Sequence, residues 1–198
     1  MERYWADVSF LAKDQDYLTT GIDVLLAGLV FRSYTAFSDL WRFHRRFAKD
    51  QTGHRFTFYM HTFEDMIQAL YEEIQKDPLV EFLTKNGYGK IKTDYLSENY
   101  HRAWDTGSLS DPSWHPVVRN NWPWLATGFS RMWLEMILVC MDRLRIEIPK
   151  KLNRTNVENL IQACSMINGM IVGIYQTQGQ HFLTHHTDVL FGTWDKGK

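Results

Sequence analysis

Proline is unevenly spread along this chain. All five prolines lie at Pro78, Pro112, Pro116, Pro123 and Pro149, so residues 1–77 and 150–198 contain none. Proline lacks the amide proton that a helix interior needs, and its ring clashes with the preceding turn. Long helices are therefore unobstructed at both ends, and a helical period is readable in both. From Asp14, a capping residue, Tyr17, Leu18, Ile22, Leu25, Leu26, Leu29 and Val30 recur at three- and four-residue steps. Tyr34, Phe37, Leu40, Trp41 and Phe43 continue the period and carry the expected helix to about residue 47. After Gly53, a second helix is expected over 55–76 on Phe58, Tyr59, Phe63, Met66, Ile67, Leu70, Tyr71 and Ile74. Asp77-Pro78 ends it and opens a short helix over 79–85, and Gly87 and Gly89 mark a turn.

A further amphipathic stretch covers 92–104, with Tyr95, Leu96, Tyr100, His101 and Trp104. Residues 105–121 are turn-formers, and Trp104, Trp114 and Trp122 argue that this long loop packs onto the body. Asn121 caps a helix with Pro123 in its first turn, running to about Arg145. Thr155 or Asn156 caps the last helix, 156–180, which reaches His181 or beyond, followed by a tail over 182–198. No β-alternation, internal repeat or low-complexity segment stands out. The expectation is an all-α fold of six to eight helices in a single domain over 1–198.

Composition narrows the classes. Hydrophobic residues make up 44% and charged residues 23% of the 198, values of a globular protein with a real core. The net charge of −1 offers no excess of either sign for nucleic acid or an anionic membrane. The opening MERYWADVSF is not a signal peptide, and the apolar runs Val24–Phe31 and Met136–Met141 are too short to span a bilayer. Cys140 and Cys164 make neither a disulfide framework nor a four-thiolate zinc site, which suits a cytoplasmic setting. Phosphate-binding, nucleophile-elbow and haem-attachment motifs are missing.

Three histidine groupings invite a chemical reading. His54, His61 and Glu64 fall on the expected 55–76 helix, with His61 and Glu64 on one face. His181 and His185 have the i, i+4 spacing of two metal ligands, with His186 and Asp188 following. His101 sits among Tyr95, Leu96, Tyr100 and Trp104 as a buried histidine or an axial haem ligand.

Three segments, with an aromatic-rich helix between the second and the third, together resemble the protoglobins and the globin domains of globin-coupled sensors. VSFLAKDQDYLTTGIDVL (residues 8–25) is similar to the family's opening into its long distal helix. YLSENYH (95–101) has the Tyr-to-His spacing of the proximal helix. A long loop then leads to the aromatic-rich WPWLATGFSRMWLEMI (122–137), and NVENLIQACSMINGMIV (156–172) is similar to the final helix. The resemblance implies a three-over-three globin fold with an extra N-terminal helix, and haem b ligated by His101. It also implies a pocket drawn from Phe37, Thr57, Phe58, His61, Tyr100, Trp122, Trp124 and Phe129, with Phe37 or Ser38 where the family has a distal Tyr. A diatomic gas (O2, CO or NO) would bind opposite His101, and a homodimer would form through the last two long helices on Met136, Met141, Met166 and Met170. Two other readings stand beside it: a haem-free sensor or partner-binding module, and a non-haem metalloenzyme using His181, His185 and either His54 or Glu64.

Overall fold

The computed structural model describes residues 2–12, 17–46, 53–95 and 107–191. It overturns the all-α expectation: the N-terminal half is built on a four-stranded antiparallel sheet. The strands are β1 (Arg3–Ala12), β2 (Trp41–Arg46), β3 (Arg55–Phe63) and β4 (Gly89–Lys92). The helices are α1 (Tyr17–Leu29), α2 (Glu64–Lys76), α3 (Pro78–Lys85), α4 (Pro116–Arg143) and α5 (Arg154–Phe191). A 3-10 helix, Phe31–Phe37, follows α1. The strand order β2-β3-β1-β4 places β3 between β1 and β2, the split βαβ pattern of ferredoxin-like sheets.

The strands follow from a period of two. Ala6, Val8 and Phe10 on β1 stand beside Met60, Phe58 and Phe56 on β3, and Trp41 and Phe43 on β2 continue the row. These residues form one face, against which α1 packs. The other face carries Trp5, Asp7, Ser9 and Leu11 opposite His61, Tyr59, Thr57 and Arg55, then Arg42, His44 and Arg46 on β2. Trp5 through Phe10 are all buried, so β1 has apolar residues on both faces and its alternation is masked. The expected 55–76 helix divides into β3 and α2 at Phe63, where no side chain caps the first helical amides.

The expected helix from Asp14 to residue 47 is also divided. Ser38 is extended at φ −151° and ψ 143°. Its hydroxyl bonds the carbonyls of Leu40 (2.9 Å) and His61 (2.7 Å), which turns the chain into β2. The expected helix over 92–104 meets β4 and a turn at its start, and residues 96–104 lie outside the described residues.

Ile22, Val24, Leu25, Leu26 and Ala27 are buried around most of the circumference of α1. The sheet covers one side of it, and α4 and α5 cover the other. A Cβ at Gly21 would fall on the Ile161 carbonyl oxygen and the Ser165 hydroxyl, so glycine is what permits α1 to lie so close to α5.

The C-terminal half keeps the expected helices with shifted starts. Pro116 opens α4 behind His115, which places Pro123 inside the helix. Pro123 cannot donate to the Arg119 carbonyl, and that oxygen is taken by the Ser110 hydroxyl at 3.0 Å. Asn153 caps α5 through the Asn156 amide at 2.9 Å, and α5 absorbs much of the expected tail. The short helix over 79–85 is found as read, with Asp77 Oδ1 accepting from the amides of Leu79 and Val80.

Candidate functional site

Three places gather polar or unpartnered groups. The first is the polar face of the sheet. Asp7 is buried at its centre and accepts from Thr93 Oγ1 (3.3 Å) and from the amides of Asp94 and Tyr95 (both 3.1 Å). These bonds tie the chain leaving β4 back to β1. Arg55 reaches Asp7 at 3.2 Å and Asp94 at 2.8 Å, and its Nε donates to Ser9 Oγ at 2.8 Å. Ser9 and Thr57 share a buried hydrogen bond of 2.8 Å.

Burial, then the neighbouring Asp94 charge, pushes the Asp7 carboxyl up, against the bonds from Tyr95 and the charge of Arg55. Burial also acts on Asp94, but bonds from Lys92 and Arg55 outweigh it and hold that carboxyl below its ordinary value. On the β2 side the balance changes. Arg42 lies over the Tyr59 ring at 5.0 Å and donates to the Leu109 carbonyl at 3.3 Å. Burial lowers the Arg42 pKa. Burial, then Arg42, Arg55 and Arg46, lowers that of His44. Burial, then Asp7, raises that of Tyr59 and keeps its phenol protonated.

The second place lies on the helical side of β2. Asp23 on α1 is fully buried, with His54 Nε2 and Arg45 Nε each 2.7 Å from a different carboxylate oxygen. Arg45 continues to Asn168 Oδ1 on α5 at 3.0 Å and lies over the Trp133 ring. This network joins α1, β2, the residue before β3 and α5. It has the form of an internal clamp.

The third place is the surface of the two long helices. A groove of about 370 Å³ runs between them, lined by Met132, Met136, Ile174, Tyr175, Gln178 and Phe182 among others. Phe129 meets Phe182 edge-on at its end. On the side of α5 turned away from the core, Met166 is 69% and Met170 50% exposed.

The residues named for a haem pocket do not line one cavity. Phe58 is in the core on the helical face of β3, whereas Thr57 and His61 point to the opposite face, His61 against Trp5 at 5.2 Å. Phe37 is exposed at the rim of a cavity of about 130 Å³, too small for a porphyrin. Trp122 packs on Trp114, Trp124 is 57% exposed, and Phe129 belongs to the α4–α5 groove. His101 and Tyr100 lie outside the described residues. The globin fold that implied this pocket is thus replaced by a sheet, and the described members of the set do not fit a single flat cofactor.

The other metal reading is also dispersed. His54 is held by Asp23 before β3 and Glu64 begins α2 after it, at opposite ends of a nine-residue strand. His181 and His185 are exposed on α5. Among the described residues no group of three His, Cys, Asp or Glu is placed to hold a metal ion. Sequence reasoning missed Asp7, Arg42, Arg55 and Tyr59. For Arg42 the signal was the segment W-R-F-H-R-R over 41–46, where positions 42, 44 and 46 are polar and fall on one strand face. No family model matches the chain, and no curated protein or solved structure does.

Proposed function

We propose that this chain is a self-associating module whose α5 docks on a second copy of itself. One observation carries the reading: from Asn159 through Thr187 the helix contains no Asp, Glu, Lys or Arg, although much of it faces outward. A solvated helix face is ordinarily charged. Here the outward stripe is Met166, Gly169, Met170, Gly173 and Thr177, at three- and four-residue steps opposite the buried Ile161, Cys164, Ile167 and Ile171.

The chemistry favours a second copy. Two such faces meet without like-charge repulsion, and the same patch serves both partners of a two-fold dimer. A Cβ at Gly169 or Gly173 would meet nothing within 4 Å, so a partner backbone has room to come close. From 166 to 185 the helix rises about 30 Å, long enough for an interface of standard size.

A bilayer is the competing occupant. By length and composition Arg154–His185 is long and apolar enough to cross one. Its inner side, however, is committed to the core through Val157, Ile161, Cys164 and Ile167. Beyond Ile171 the helix carries Gln176, Gln178, Gln180, His181 and His185, costly groups to place in hydrocarbon. The test is sedimentation equilibrium of the full chain beside a Met166→Glu/Met170→Glu variant, with flotation on neutral phosphatidylcholine vesicles as a second arm. The wild type is expected to be dimeric and the variant monomeric with an unchanged circular dichroism spectrum. A wild type that stays monomeric at about 100 µM, or one that floats with vesicles, overturns the reading.

A further inference from the structure

The core-facing line of α5 runs on past the core. Ile161, Cys164, Ile167 and Ile171 are buried along it. Three- and four-residue steps carry the same side of the helix through Ile174, Tyr175, Gln178 and Phe182. There Ile174 is 40%, Tyr175 37% and Phe182 41% exposed. Met132 and Met136 on α4 stand across from them, and the groove of about 370 Å³ lies between. The edge contact of Phe129 with Phe182, centroids 5.7 Å apart, bridges the two helices beside it.

Size and chemistry select the occupant. An apolar cavity of about 150 Å³ admits a benzene ring, and ligand pockets run from about 300 to 1,000 Å³. Two turns of a helix about 10 Å across need roughly twice the volume of this groove. The space therefore suits a small molecule of about two rings better than a partner helix. No Asp, Glu, Lys or Arg lines it, so an ion entering would lose water without meeting a counter-charge. Methionine side chains adapt to irregular shapes and favour aromatic rings. Gln178 and His181 also line the groove and can each hydrogen-bond to one polar group.

We infer that the α4–α5 groove is a binding site for a small neutral aromatic molecule carrying one hydrogen-bonding group. Its rings lie between Met132 and Met136 on one side and Ile174 and Phe182 on the other, and its polar group meets Gln178 or His181. The site goes beyond self-association and is independent of it. None of its lining residues is among Met166, Gly169, Met170, Gly173 and Thr177, which form the outward stripe.

The experiment is fluorescence titration of the full chain at pH 8 with N-phenyl-1-naphthylamine, a neutral probe with one N–H. Displacement by 1-naphthol and by naphthalene-1-sulfonate follows. Ile174→Trp, which fills the groove, and Met166→Glu/Met170→Glu, which alters the outward stripe, are run in parallel. A Kd near or below about 50 µM is expected for the probe. Binding should weaken at least tenfold in Ile174→Trp and stay within about twofold of wild type in Met166→Glu/Met170→Glu. The naphthol should displace the probe at a concentration at least tenfold below that of the sulfonate. Methyl NMR of the wild type gives a second readout that needs no folded variant: the probe should shift the Met132 and Met136 methyls and leave those of Met166 and Met170 in place. No binding at about 500 µM, equal binding by wild type and a folded Ile174→Trp, equal displacement by naphthol and sulfonate, or shifts confined to Met166 and Met170 overturns the inference. So does a groove filled by a second copy, seen as probe release on raising the protein concentration.

Discussion

The two sides of α5 alike carry no charged side chain between Asn159 and Thr187, and they stand in opposite circumstances. The inner side sets Val157, Ile161, Cys164, Ile167 and Ile171 against α1 and the sheet layer, and Asn168 joins it to the Arg45–Asp23 network. The outer side carries the exposed Met166 and Met170 with two open glycines and is left uncovered by the described residues. A long helix face without a single charge is ordinarily covered. The fold accounts for one side only, so the other calls for a partner.

This contrast breaks most readily at the inner clamp. Asp23→Ala leaves Arg45 and His54 without their shared acceptor and is expected to cost about 3–5 kcal/mol, read by urea unfolding. A loss below 1 kcal/mol would mean that the network holds nothing together. Ile167→Ala, fully buried beside it, should cost about 2–5 kcal/mol through the cavity it leaves. Met170→Glu on the outer side should change the stability of the monomer by less than about 0.5 kcal/mol while abolishing association. Equal effects of the last two substitutions on unfolding would erase the distinction between the sides.

Thiol chemistry sharpens the same comparison. Burial pushes the Cys164 thiol up to about 12, so a thiol reagent at pH 8 should modify it only as fast as the protein unfolds. Rapid labelling in native protein would place Cys164 on the outside.

The smallest effect expected belongs to the β2 row. Burial, then Arg42, Arg55 and Arg46, holds the His44 imidazole below its ordinary 6.5, so the unfolded chain takes up that proton first as pH falls. Stability should therefore decline as pH drops from about 6.5 towards the lower native value and level off below it. His44→Gln removes this share of the decline, and an unchanged slope would show that the imidazole is not held neutral by its neighbours.

The long helices were legible because their punctuation is chemical. Asp77-Pro78 opens α3 with a side-chain cap, and the proline-free stretch after Pro149 becomes α5. The strands were not legible because absence of proline is as compatible with a strand as with a helix. In β1 both faces are buried, so Trp5 and Ala6 are apolar in succession and no clean alternation survives. At Phe63 a strand passes into α2 without a capping residue, and the apolar residues on either side merge into an apparent helical period. For the site, the histidines drew the reading and the arginines settled the geometry. His61 packs on Trp5, while Arg42, over the Tyr59 ring and bonded to the Leu109 carbonyl, stood unnoticed in a short polar alternation.

Self-association through the outer stripe is tested most directly by a disulfide across the two-fold axis. Gly173→Cys, introduced in a chain whose buried Cys140 and Cys164 are replaced by Ala, is oxidised and compared with Glu135→Cys in the same background. Rapid conversion of the position-173 variant to a covalent dimer, with little at position 135, is the predicted result. Equal or negligible cross-linking at both positions would contradict it.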